Sequence, residues 1–125
     1  MPQTSAEFSI DLTPGEGLHA GTDRFDFTKT WTGGLTGTSV GTMLSAGDPG
    51  AGHAGYVALE RFDGEIDGRE GTLVFQQFGT MDAAGPVLTY LVTPGSGTGA
   101  LAGLTGTLNL DVVDGVHRVE FDYTI

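Results

Sequence analysis

Apolar residues in this chain alternate with polar ones in short runs, and no window sustains a helical period. Ala6 to Leu12 sets Phe8, Ile10 and Leu12 against Ser9 and Asp11, which predicts a first strand, broken by Thr13-Pro14-Gly15-Glu16-Gly17. A second strand, from Leu18 to Trp31, carries Phe25, Phe27 and Trp31 on one face and Arg24, Asp26 and Thr28 on the other. Lys29 falls on the aromatic face if Gly33-Gly34 is the turn that sets the register; a bulge would turn it outward. Leu35 to Ala46 is a third strand, and Gly47 to Gly55 reads as a flexible glycine-rich loop of the kind that lies over a barrel mouth.

Two hairpins can be registered residue by residue. Asp67-Gly68 and Asp114-Gly115 suit a type I′ turn, which needs φ > 0 at both central positions. The first turn sets Ile66 opposite Arg69, Phe62 opposite Leu73, Glu60 opposite Phe75 and Ala58 opposite Gln77. Tyr56, Ala58, Glu60 and Phe62 then share a face with Leu73, Phe75 and Gln77, while Arg61, Asp63, Glu65, Glu70 and Thr72 take the other. The charged face belongs in water, so Glu60 and Gln77 go inward with the aromatics. The second turn pairs Val112 with His117, Asp111 with Arg118, Leu110 with Val119 and Leu108 with Phe121. Its core face is Leu108, Leu110, Val112, His117, Val119, Phe121 and Tyr123, and Asp111–Arg118 is a cross-strand ion pair on the solvent face. Between the hairpins lie a sixth strand, Val87 to Thr93, and a glycine-spaced connection, Gly95 to Gly106, suited to a sharp turn and close strand approach.

Eight meandering strands, each with one apolar face, bury their edges best by closing on themselves. The expected fold is therefore all-β, a single domain over residues 1–125 forming an eight-stranded antiparallel up-and-down barrel. Such a barrel is either filled by side chains or just wide enough for a small ligand.

Charge and composition narrow the function. Sixteen acidic residues against five basic ones give a formal charge of −11. That field repels phosphate backbones and anionic lipid, so neither nucleic acid nor a membrane is an expected partner. There is no cysteine, hence no disulfide or thiolate site. The N-terminus lacks the basic and apolar regions of a secretory signal, and a cytoplasmic protein is the default expectation. His19, His53 and His117 are scattered without metal-ligand spacing, so no metal and no cofactor is expected. The Gly95–Gly106 run has no lysine in the P-loop position, and Ser96 has no His or Asp in a nucleophile-elbow context.

The runs Tyr56-Val57-Ala58-Leu59-Glu60-Arg61-Phe62, Asp67-Gly68-Arg69-Glu70-Gly71 and Ser96-Gly97-Thr98-Gly99-Ala100-Leu101-Ala102-Gly103-Leu104-Thr105-Gly106 resemble a bacterial family of small proteins catalogued as a domain of unknown function. That family is grouped with the allene-oxide-cyclase-like barrels. The resemblance covers nearly the whole chain and implies an eight-stranded barrel, loosely lipocalin-like or calycin-like, often a homodimer. Some barrels of this shape steer the cyclisation of a reactive substrate by shaping its conformation. Relatives often carry histidine where this chain has Gln77; if that histidine is a base in them, this chain lacks it, because glutamine does not titrate.

Glu60 has two readings. It is either a carboxylate desolvated toward neutrality and suited to acid–base work, or a structural buried acid matched by Lys29, Arg24 or His117. Gln77 either orients a ligand or simply hydrogen-bonds Glu60. Lys29 turned inward could pair with Glu60 or serve as an amine nucleophile. The leading expectation is a barrel that binds an apolar or amphipathic small molecule, walled by Phe25, Phe27, Trp31, Tyr56, Phe62, Phe75 and Tyr123 and anchored by Glu60 and Gln77. The second is a cofactor-independent cyclase or isomerase in which Glu60 moves a proton. The third is a filled barrel with a protein-interaction role, in which Trp31, Phe62 and Phe75 pack to native density around the axis.

Overall fold

The alternation of apolar and polar residues produces strands throughout, and a computed structural model describes residues 2–125. Strand β1 spans Gln3–Gly15, β2 Thr22–Gly33, β3 Leu35–Asp48, β4 His53–Ile66, β5 Arg69–Asp82, β6 Gly85–Val92, β7 Thr105–Val113 and β8 Val116–Thr124. Each pairs antiparallel with the next, and β1 closes on β8, giving an eight-stranded up-and-down barrel. Both registered hairpins are as the turns require: Glu60 faces Phe75, Ala58 faces Gln77, Leu110 faces Val119 and Val112 faces His117. Asp67 and Asp114 have φ of 49° and 52°, with Gly68 and Gly115 at 84° and 77°. These are the left-handed conformations that Asp-Gly tolerates.

The structure corrects four local expectations. Gly47 to Gly55 is not a flexible loop: β3 and β4 pair up to Asp48 opposite His53, and only the short 3-10 turn Pro49–Ala51 joins them. Glycines there are read as breakers, yet the ladder supplies every backbone partner that a strand needs. β1 likewise continues through Pro14 to Gly15, opposite Arg24, where the sequence suggests a break. The corner at Gly33-Gly34 is tighter than a two-residue turn, because Gly33 still pairs with Ala6, Gly34 donates to the Ser5 carbonyl and Asp67 donates back to Gly34. Trp31 thereby meets Gly37, and Lys29 meets Ser39. Finally, Val112 lies at the open end of its strand and is exposed, and Arg118 puts its Nε on Glu7, 3.2 Å away, although its backbone also pairs with Asp111.

The interior is filled at one end and open at the other. In the filled half, Trp31, Phe62, Phe75 and Phe121 are fully buried, with ring centroids 5.9–6.1 Å apart, Trp31–Phe62 and Phe75–Phe121 edge-on and the other two pairs tilted. The Gly95–Gly106 connection caps this end. Thr98 donates its backbone N–H to the Thr72 carbonyl, and Leu101 and Leu104 enter the core. Toward the other end, β6 meets β7 only at Leu91–Thr107. Beyond that level β2 to β6 run on and their inner face lines an open mouth.

Candidate functional site

The boundary between the filled and open halves is a buried polar network. Period-two alternation sends Lys29 of β2, Ser39 of β3, Glu60 of β4, Gln77 of β5 and Tyr90 of β6 to the inside at nearly one level. The Glu60 carboxylate accepts from four side chains. Lys29 Nζ donates to Oε1 at 2.8 Å, the Tyr90 hydroxyl at 3.0 Å and Gln77 Nε2 at 3.3 Å, while Ser39 Oγ donates to Oε2 at 2.6 Å. Trp31 Nε1 donates to Ser39 Oγ at 3.0 Å, and the Tyr56 hydroxyl donates to Gln77 Oε1 at 2.8 Å. No buried side-chain polar atom among the described residues lacks a partner. Of the three cations named for Glu60, the structure supplies Lys29; Arg24 pairs with Asp26 on the surface, and His117 stacks on Phe8 at 4.9 Å.

Lys29, the chain's only lysine, is 3% exposed. Its Nζ lies 4.2 Å from the centre of the Phe8 ring and 5.3–5.5 Å from those of Phe27, Trp31 and Tyr90. Burial pushes its pKa below the ordinary lysine range, against the opposing pull of Glu60. Burial likewise raises the Tyr90 hydroxyl well above the ordinary tyrosine value, and raises that of Tyr56, with Glu60 adding to both.

Above the network, two neighbouring hollows share Met43 and Tyr56 in their linings. The outer cup, about 500 Å3, lies between β2 and β6 and is lined by Phe25, Ser45, Ala54, Met81 and Leu88, with Asp23 at its edge. The inner cleft, about 150 Å3, is walled by Ile10, Leu12, Phe27 and Leu110 and floored by Lys29, Gln77 and His117. Glycine makes part of this room: a Cβ on Gly79 would come within 2.5 Å of the Tyr56 ring, which lies across β5.

The sequence-expected site residues separate into two groups. Phe25, Phe27, Tyr56 and Gln77 line the mouth. Trp31, Phe62, Phe75 and Tyr123 are core residues of the filled half, not walls of the mouth: the strands converge there and the rings pack on one another. Tyr123 reaches the far end, where its hydroxyl donates to Asp67 at 2.5 Å. Glu60 lies behind the floor and lines neither hollow. The sequence reading gave no site role to Ser39 or Met43, and placed His117 on a core face as a possible counter-ion for Glu60 but not as a lining residue of the pocket. Once Lys29 is known to oppose Ser39, alternation along β3 places Met43 on the mouth wall.

Comparison with known proteins agrees with the fold. A crystal structure of a protein with unknown function from Shewanella oneidensis MR-1 superposes with a TM-score of 0.93 at 37% identity, covering 100% of this chain and 98% of that one. No curated protein matches. The family profile described as "Protein of unknown function (DUF3224)" matches residues 5–123, and the chain belongs to the DUF3224 family.

Proposed function

We propose that the protein is a small-molecule-binding barrel that takes an apolar ligand through the mouth. The observation that carries this is the cup of about 500 Å3, apolar-walled and adjoining, at Met43 and Tyr56, a cleft whose floor holds oriented polar groups. Volumes of roughly 300–1,000 Å3 with a few convergent polar groups are typical of ligand sites. Ser45→Trp fills the cup from β3 without touching the buried network. The wild type should bind a neutral apolar dye such as Nile red, and Ser45→Trp should lose that binding while melting at the same temperature. Equal dye binding by both proteins would sink the reading.

The resemblance to allene-oxide-cyclase-like barrels suggests a cyclase or isomerase in the same mouth. It draws less support, because the Glu60 carboxylate is occupied by four donors and faces neither hollow. A second copy of the chain is the protein partner that the outer wall favours. Val40, Leu44, Val57, Leu59, Val74 and Phe78 share the outer face of β3, β4 and β5 in adjacent rows, with Leu59 and Phe78 60% and 61% exposed. No carboxylate interrupts those rows. A chain of charge −11 can meet its own copy only where acid is scarce, and this face meets that condition.

A further inference from the structure

The floor of the mouth discriminates by head-group charge, and we infer that its ligand is an apolar molecule whose polar group is an uncharged alcohol or ketone oxygen held between Gln77 and His117. This rests on the mouth being a ligand site. Both charges at the floor are already matched. The Lys29 ammonium spends two of its three hydrogens on Glu60 at 2.8 Å and Tyr90 at 3.2 Å and lies 4.2 Å from the centre of the Phe8 ring, so its charge is already compensated before a carboxylate enters. A second anion there would be desolvated beside a cation already neutralised. An entering ammonium would face Lys29 across the cleft, with Glu60 enclosed behind it.

What remains is neutral hydrogen-bonding capacity. Gln77 Nε2 carries two hydrogens and uses one on Glu60, and its carbonyl oxygen is taken by Tyr56. His117 lines the same cleft, half-buried, with its ring held flat against Phe8, and neither ring nitrogen hydrogen-bonds another described residue. An amide N–H and an imidazole suit one oxygen that accepts, or accepts and donates. Above them Leu12, Leu110 and Met43 offer only apolar contact, so the part of the molecule next to its oxygen is hydrocarbon.

The test is isothermal titration of the full-length protein with decanol, decanone, decanoate and decylamine at neutral pH, alongside the Nile red measurement. Decanol and decanone should bind at least about tenfold more tightly than decanoate and decylamine, the scale of one buried polar group left unpaired. His117→Phe, which keeps the stack on Phe8, should reduce decanol and decanone binding by about tenfold while leaving binding of the pure hydrocarbon dye diphenylhexatriene unchanged. Decanoate or decylamine binding as tightly as decanol would overturn the head-group assignment while dye binding still upheld the pocket. Unchanged decanol binding in His117→Phe would overturn the role of His117. Failure of both the dye and the whole series would overturn the pocket itself.

Discussion

Glu60 can be buried only because four other strands send it partners. Removing either member of a buried ion pair leaves the other uncompensated, which costs about 3–5 kcal/mol. Glu60→Gln and Lys29→Met should each destabilise the protein by that order in urea unfolding. The double variant should recover much of the loss, since Ser39 and Tyr90 can still bond an amide. Additive losses would show that the two side chains act separately. The tyrosines set the alkaline limit. All three, Tyr56, Tyr90 and Tyr123, have hydroxyls raised above 10.0, the first two chiefly by burial and Tyr123 chiefly by its bond to Asp67. A raised folded value means that the folded protein keeps protons which the unfolded chain releases, so stability present below pH 10 is lost as pH rises past it. Lys29, shifted down, acts in the opposite sense as it deprotonates below 10.5, but it is one group against three. Absorbance at 295 nm should therefore show no tyrosinate phase near pH 10, and ionisation should coincide with unfolding at higher pH. Tyr90→Phe should flatten the alkaline loss of stability.

Strands and turns were legible in proportion to how local their determinants are. The β4–β5 and β7–β8 registers follow from Asp-Gly dipeptides, which act within four residues, and through them the inward placement of Glu60 and Gln77 is readable from sequence. The β2–β3 corner was not, because Gly34 is held by Ser5 and Asp67, residues far off in sequence. Nor were the ends of β1, β3 and β4, where neighbouring strands override breaker residues. The mouth itself was hidden for the same reason. Which aromatics fill the barrel and which line its opening depends on how far β2 to β6 outrun β7 and β8. At the turns, a side chain on Gly68 or Gly115 would meet open space, so only conformation opposes it. Gly68→Ala and Gly115→Ala should each cost about 1–2 kcal/mol, the penalty for a Cβ in the left-handed region, read by thermal unfolding. A neutral effect at either turn would mean that the hairpin tolerates another turn geometry.

At the scale of the molecule, charge and apolar surface oppose each other. Sixteen acidic residues on 125 make every approach of two copies unfavourable over a distance set by salt, whereas contact between the Leu59 and Phe78 faces does not depend on salt to the same degree. The screening length shrinks from about 30 Å at 0.01 M to about 3 Å at 1 M. If the outer face of β3 to β5 joins two copies, light scattering across a dilution series should show the dimer dissociating at lower protein concentration in low salt than in high salt. Leu59→Glu puts a carboxylate at the centre of that face, on an outward position that packs against nothing inside the barrel. It should give a monomer at every salt concentration with its melting temperature close to that of the monomeric wild type. A salt-independent monomer in the wild type would rule the interface out, and a Leu59→Glu dimer would move it to another face. Neither result would bear on the mouth, because the inner and outer faces of β3 and β4 belong to alternate residues.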